Sequence, residues 1–365
     1  GIEIEEFPAQ IAQVALWLTD HQMNMKISEE FGAYFARIPL KATPHITCAN
    51  ALQTDWASVL APEKCSYILG NPPFLGKSNQ SAAQKADLLS VFGLLKSASD
   101  LDFVSAWYIK AARYIKNQPN IKCAFVSTKS ITQGEQVAIL WPYLFEHGIK
   151  IHFAHRTFQW NNEGRGKAAV HCVIIGFSLH DVADKTIYEY ADIKGEPHAV
   201  KAYNINPYLR DSIDVIPEKR QQPLSNVPQM RYGNKPTDDG NYIFTDDEKR
   251  DFLIKEPNAA KFIRPFIGAE EFINNKTRWC LWLKDADIAE LRTMPSVMDR
   301  VRRVQEFRLK STAKPTQQSA STPTLFFYTS QPDSAYLLIP ETSSENRNYI
   351  PIGFVDKEII SSNAT

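Results

Sequence analysis

The chain's 365 residues are 44% apolar and 22% charged, enough for two domains with separate hydrophobic cores and unlike a disordered segment. Lysine plus arginine and aspartate plus glutamate balance at 41 each, so any nucleic-acid surface is a local patch rather than a global field. No apolar run reaches the roughly 20 residues that span a bilayer, and no signal peptide is visible, which predicts a soluble cytoplasmic protein.

Short apolar runs alternate with helical stretches up to about residue 195, the pattern of a doubly wound α/β sheet. Gly1 to Ile4 reads as a strand, followed by a helix with Pro8 in its first turn and Ile11, Ala12, Ala15, Leu16 and Leu18 at helical spacing. His45 to Cys48 and Tyr67 to Leu69 are short strands, and helical spacing returns in Ala86 to Leu95 and Val104 to Ile115. Strands are predicted at Cys123 to Ser127, Ile149 to Ala154 and Ala169 to Phe177, with a helix near Gln133 to Phe145. These elements define a first domain over 1–195. Beyond it Asn, Pro, Asp and Gly become dense and the pattern is that of an α+β domain over 196–365. It contains an aromatic segment from Arg278 to Leu283, a basic helix-like stretch from Arg300 to Lys310, a polar linker at 311–324 and an apolar run from Leu325 to Tyr328. The five cysteines (Cys48, Cys65, Cys123, Cys172, Cys280) are widely spaced, with no CxxC or Cys/His cluster, and read as reduced, mostly buried side chains.

The most specific feature is Asn71-Pro72-Pro73-Phe74, directly after the strand at Tyr67 to Leu69. Two prolines fix their own φ angles and push the preceding residue out of the helical region, so the backbone at Asn71 is extended and stiff. The Asn71 side-chain oxygen and the Pro72 carbonyl can each accept one hydrogen of an exocyclic amine, leaving its lone pair directed at an incoming methyl group. The Phe74 ring can stack on the heterocycle; a proline-rich turn after a buried strand accounts for the same residues without chemistry. Glu3 closes the first strand, where dinucleotide-type folds place the acid that holds a ribose hydroxyl pair, although a strand-end acid is often simply solvated. Asn50 can hydrogen-bond the edge of an adenine, with Ala51 and Leu52 forming a slot for its plane.

Residues 157–167 join the strands at Ile149 to Ala154 and Ala169 to Phe177, and carry Phe158, Trp160, Arg165 and Lys167. They suit a clamp on an extrahelical base and its phosphates, or equally a hairpin tip whose rings pack back on the domain. The Arg300 to Lys310 stretch can meet phosphates, but Asp299 and Glu306 favour a solvated helix face. No P-loop, HExxH, GxSxG or metal-spaced His cluster occurs, so no metal site is predicted, nor is there a PD-(D/E)xK nuclease pattern.

These residues together resemble the γ-type N6-adenine DNA methyltransferases, and most closely the MmeI-like group of type II restriction–modification enzymes, over nearly the whole chain. In that resemblance, Gly1 to Ala9 is similar to the motif that binds the ribose of S-adenosylmethionine (SAM), with Glu3 at the acidic position. Cys48 to Leu52 is similar to the adenine-edge motif, and Asn71 to Phe74 to the catalytic one. Phe158 falls where the family has an aromatic that sandwiches the flipped adenine, with Trp160 beside it, and Arg278 to Trp282 and Ser344 to Pro351 look like parts of the target-recognition region. The resemblance implies a Rossmann-like SAM-dependent methyltransferase sheet, incomplete at its N-terminus, followed by an α+β target-recognition domain. The implied function is site-specific methylation of adenine N6 in duplex DNA with base flipping, within a restriction–modification system. It also places a Gly-rich SAM loop and a central strand upstream of Gly1, and a continuing recognition region after Thr365, so the chain reads as a fragment of a larger polypeptide. The alternatives are a catalytically inactive DNA-binding fragment, or a SAM-dependent methylase of RNA or protein glutamine.

Overall fold

A computed structural model of the chain describes residues 1–32, 44–93, 95, 97–160, 170–217, 220, 222–344, 347 and 349–363. The basic loop residues Arg165 and Lys167 lie outside the described residues, as do Glu345, Asn346 and Asn348 of the second recognition-like stretch. Two compact units emerge, Gly1–Gln221 and Gln222–Thr365.

In the first unit, β1 (Ile2–Glu3) and β2 (Thr47–Cys48) pair in parallel as a small separate sheet. Between them runs α1 (Glu6–Phe31), which stops at Gly32, whose φ of 64° is the left-handed cap that glycine adopts without Cβ strain. The predicted apolar spacing does produce a helix, but only Ala9 of α1 is buried, and Ile11, Leu16 and Leu18 stay about half exposed.

The larger sheet contains β3 (Tyr67–Gly70), β4 (Lys122–Thr128), β5 (Lys150–Trp160), β6 (Val170–Ser178), β7 (Lys185–Tyr190) and β8 (Pro197–Ala202), in the order β3-β4-β6-β5-β7-β8. β3 and β4 are parallel, as are β5 and β7, and the remaining neighbours are antiparallel. β8 pairs with β7, so the first unit continues past the compositional change near residue 195. Around the sheet lie α2 (Trp56–Val59), α3 (Ala82–Phe92), α4 (Ser105–Tyr114) and α5 (Gly134–Glu146). α3 opens with a reciprocal capping box between Ser81 and Gln84, which satisfies two otherwise orphaned amides. Its Leu88, Val91 and Phe92 join Ile109, Ala112, Val137, Leu140 and Leu144 in one core. At its centre Tyr108 packs edge-on to Phe125 and stacked on Phe177, ring centroids 5.2 and 5.4 Å apart. The Tyr108 hydroxyl meets Ser127 Oγ at 2.7 Å, so the buried phenol keeps a partner while its ring contributes apolar area.

The second unit is built on β9 (Ile243–Phe244), β10 (Ile263–Ile267), β11 (Trp279–Leu281) and β14 (Ile360–Ser361), in the order β14-β10-β11-β9. A hairpin of β12 (Tyr336–Leu338) and β13 (Gly353–Val355) stands apart from it. The helices are α6 (Asp246–Lys255), α7 (Ala269–Asn274), α8 (Ile288–Leu291), α9 (Pro295–Leu309) and α10 (Lys314–Gln318). Val297, Val301 and Val304 present one face of α9 to a core of Tyr242, Phe244, Phe266 and Phe326.

The basic stretch on α9 is mostly occupied internally. Arg300 lies over the rings of Phe244 and Phe252, while Arg302 and Arg303 both pair with Asp299. Arg308 is fully buried, and its five N–H groups are matched to five carbonyls: Thr237 at 3.0 Å, Ser319 at 3.1 Å, Thr322 at 3.3 Å, and Pro236 and Leu325 at 2.8 Å each. Two of these carbonyls, those of Ser319 and Thr322, belong to the region read as a polar linker, which is ordered instead into α10 and a following turn. The arginine supplies the binding partner that the local sequence lacks.

Candidate active site

β3 runs in register with β4 as far as Gly70 opposite Phe125, and there leaves the sheet. β4 continues through Val126, Ser127 and Thr128, paired only with β6. The gap opens at the carboxyl end of the parallel pair, where α/β sheets hold their ligands. Asn71 enters it exposed, Pro72 is buried, Pro73 is exposed, and Phe74 is half-buried against the main core. Phe74 is thus anchored on one side by packing, which limits the entropy lost on stacking with a ligand.

Leu75, the next residue, is held by both of its main-chain groups. Its amide donates to Asp102 Oδ1 at 3.1 Å, and its carbonyl accepts from the Phe103 amide at 3.0 Å and from Gln80 Nε2 at 2.9 Å. Asp102 and Gln80 are both buried. Burial pushes the Asp102 carboxyl above its usual range, against the opposing pull of the Val104 and Leu75 amides.

Glu3 and Asn50 come together at one end of the small sheet. Glu3 lies opposite Cys48, and the Ala49 amide donates to the Glu3 carbonyl at 2.8 Å. Glu3 Oε1 accepts from the Ile4 and Glu5 amides at 2.9 and 3.2 Å; Oε2 takes neither bond. The Asn50 side chain is committed to holding its own loop: Nδ2 donates to Asp87 of α3 at 2.8 Å, and Oδ1 accepts from the Leu52 amide at 2.9 Å. Gln53 reaches the other Asp87 oxygen at 2.7 Å, and Lys110 of α4 donates to the Leu52 and Thr54 carbonyls. These bonds tie the segment with Asn50 and half-buried Ala51 to the helices beside the large sheet.

Phe158 lies on β5 in a continuous cross-strand row, Thr128–Cys172–Phe158, so it shares the sheet edge at which β3 ends. Three strand spacings separate β5 from β3, roughly 14 Å across the sheet. The Phe158 ring stacks on Tyr190 at 5.3 Å and 20°, and Tyr190 OH meets His155 Nδ1 at 2.8 Å. His155 stacks in turn on Tyr188 at 4.2 Å and 7°, and burial lowers its pKa. Trp160 ends β5, paired with Val170. Asp102, Gln80, Asp87 and Tyr190 were not anticipated from sequence. The sequence signal at Asp102 is faint, a carboxylate just before a helical stretch, and nothing local to it points to a loop 27 residues away.

In the second unit, Arg278 pairs with buried Glu271 at 3.1 Å, and Glu271 Oε2 also accepts the Gly268 amide at 2.8 Å. Trp279 donates to Asp246 at 2.7 Å under the Lys249 amine, 3.0 Å from the ring centroid. Among the described residues no group of three or more His, Cys, Asp or Glu side chains is arranged to hold a metal ion, and no helix is long and apolar enough to cross a membrane.

The α/β sheet with a proline-braced loop at its opened carboxyl edge and the separate α+β unit that follows match a DNA methyltransferase domain joined to a target recognition domain. Family models match accordingly: the MmeI DNA-methyltransferase domain over residues 1–189 and the MmeI target recognition domain over residues 211–365. The chain belongs to the MmeI family. It is 72% identical to the solved structure of the Type IIL restriction-modification enzyme MmeI in complex with DNA, with a TM-score of 0.84, covering 100% of this chain and 49% of that one. The DNA methyltransferase A of Bacillus subtilis (strain 168) is 39% identical over 366 residues, covering 100% of this chain and 41% of that protein. The chain thus spans less than half the length of these relatives.

Proposed function

We propose that this chain is the methyl-transferring and target-recognising part of a longer restriction–modification polypeptide, acting on the N6 of adenine in duplex DNA with SAM as methyl donor. The observation that carries the reading is the placement of Asn71 to Phe74 in the gap where β3 departs from β4. Glu3 at the end of β1, with the loop of Asn50 and Ala51 at the end of β2, fits a nucleoside: a carboxylate for a hydroxyl pair beside a half-buried apolar slot. When bound there, SAM supplies an electrophilic methyl group on a sulfonium.

The chain's own residues would do the rest. The target adenine rotates out of the duplex, and Phe74 and Phe158 stack on its faces, each contributing about 1–3 kcal/mol. Phe158 has Tyr190 behind it as a supporting plane. The adenine amine is a weak nucleophile because its lone pair is delocalised into the ring. Asn71 Oδ1 and the Pro72 carbonyl, both neutral acceptors, accept hydrogen bonds from its two N–H groups, favour a pyramidal nitrogen, and stabilise the positive charge that grows on it until one of these protons is released to water. The second unit would select the sequence, with the Arg278 to Trp282 segment on β11 and Ser344 to Pro351 as candidate reading elements.

Nucleoside mass spectrometry of duplex DNA incubated with SAM and the intact protein tests this. N6-methyladenine is the expected product. Methyl transfer to ribosomal RNA or to a protein glutamine, with none to duplex DNA, would replace the reading.

A further inference from the structure

The Asn71 to Phe74 loop is suspended between two fixed points. One is Gly70, in register with Phe125. The other is Leu75, and there the restraint comes from a side chain far away in sequence. Asp102 Oδ1 accepts both the Leu75 amide at 3.1 Å and the Val104 amide at 3.2 Å. Asp102 is itself held from behind, because its amide donates to Gln136 Oε1 of α5 at 3.0 Å. Gln80 completes the grip by donating from Nε2 to the carbonyls of Leu75 and Leu101. The carboxylate thus links the loop to the start of α4, and the Asp102 main chain links it to the start of α5; both helices pack in the main core. Prolines 72 and 73 have no N–H with which to bond the loop elsewhere, and the Leu75 amide, two residues after them, is the donor that Asp102 holds.

We propose that Asp102 is a positioning residue for methyl transfer: through the Leu75 amide, its carboxylate fixes the loop so that the Asn71 and Pro72 oxygens keep the spacing needed to take both hydrogens of the target amine. The inference rests on the function proposed above and concerns the same site. Asp102 touches neither base nor donor; it acts through the backbone. Losing it should therefore lower turnover without weakening capture of SAM, since misplacing catalytic groups by about 1 Å can cost on the order of a hundredfold.

The test uses the intact protein, unmethylated phage DNA and saturating SAM. Asp102→Ala removes both bonds; Asp102→Ser keeps a short acceptor for the local Val104 amide but does not reach Leu75; Asp102→Asn keeps an acceptor oxygen at full reach. The alanine and serine variants are expected to lose about 30-fold or more in kcat with KM for SAM within about threefold, and the asparagine variant to keep at least about a third of the parent rate. Amide exchange at Leu75 should quicken about tenfold or more in the serine variant while that of Val126 on β4 is unchanged. If the alanine variant does not fold, the serine variant carries the same thresholds. Parent-like kcat in the serine variant, an equal loss in the asparagine and serine variants, or a rise in KM for SAM that accounts for the defect overturns the positioning role. A parent protein that transfers no methyl to DNA overturns the proposed function, and this inference with it.

Discussion

Replacing Arg308 by methionine fills most of the same volume and leaves five carbonyls, those of Pro236, Thr237, Ser319, Thr322 and Leu325, without their donor. An unpaired buried acceptor costs about 1–3 kcal/mol. Taking the low end, because the loops relax and the guanidinium's own desolvation cost disappears, the loss is about 5 kcal/mol. A lysine has three N–H donors and leaves two carbonyls unmatched, which gives about 2 kcal/mol by the same count. Against a usual domain stability of about 5–15 kcal/mol, methionine should bring the second unit close to unfolding at 25 °C while lysine leaves it folded. Amide exchange of the α9 core at Val301 and Val304, followed with urea, reads the opening of this unit apart from the first. A methionine variant within about 1 kcal/mol of the parent would refute the count and show that burial of the charge already cancels its five bonds.

Asn71→Ala should cut turnover by about a hundredfold or more, about 3 kcal/mol of lost charge stabilisation, with SAM affinity unchanged by calorimetric titration. Phe158→Ala should weaken capture of an extrahelical base, seen as a smaller fluorescence rise from 2-aminopurine at the target position; an unchanged rise would remove Phe158 from the site. Tyr108→Phe strands the buried Ser127 hydroxyl and should cost about 1–3 kcal/mol in urea unfolding, part of which returns in the double variant with Ser127→Ala. Burial lowers the pKa of both His152 and His155 below 6.5, so the folded state binds fewer protons than the unfolded one. Their contribution to stability is present above pH 6.5 and lost as pH falls through the lowered values. The thermal midpoint of the first unit should fall on acidification in that window, and less steeply in His155→Gln.

The first unit's core helices and strands were legible because their apolar residues recur at two clean periods. Tyr67 to Leu69, Cys123 to Ser127 and Val104 to Ile115 each match an element of the structure within a residue or two. β7 and β8 were not read: Lys185 to Tyr190 and Pro197 to Ala202 carry Lys, Glu, His and Pro in a sheet-edge pattern that resembles loop. Arg308 was read as part of a solvated basic face, since nothing in a linear sequence shows that five carbonyls from two other segments converge on it. The candidate loop stood out in the sequence because its four residues, Asn71 to Phe74, are adjacent. Phe158 was named from the sequence, but the register that carries it to the same sheet edge was not readable, nor was the capture of Leu75 by the distant Asp102.

The departure of β3 from β4 also limits how the fold can fail. In a parallel ladder alternate residues of a strand turn their amides to the same neighbour, so of two successive prolines one removes a donor that would face β4 and the other a donor that would face away. Substitutions at positions 71 or 74 therefore leave in place the proline that faces β4, and with it the aperture beside Val126, Ser127 and Thr128. The side chains of Asn71 and Phe74 can be exchanged without closing the opening in which they stand, because it is secured by residues with no amide hydrogen to give.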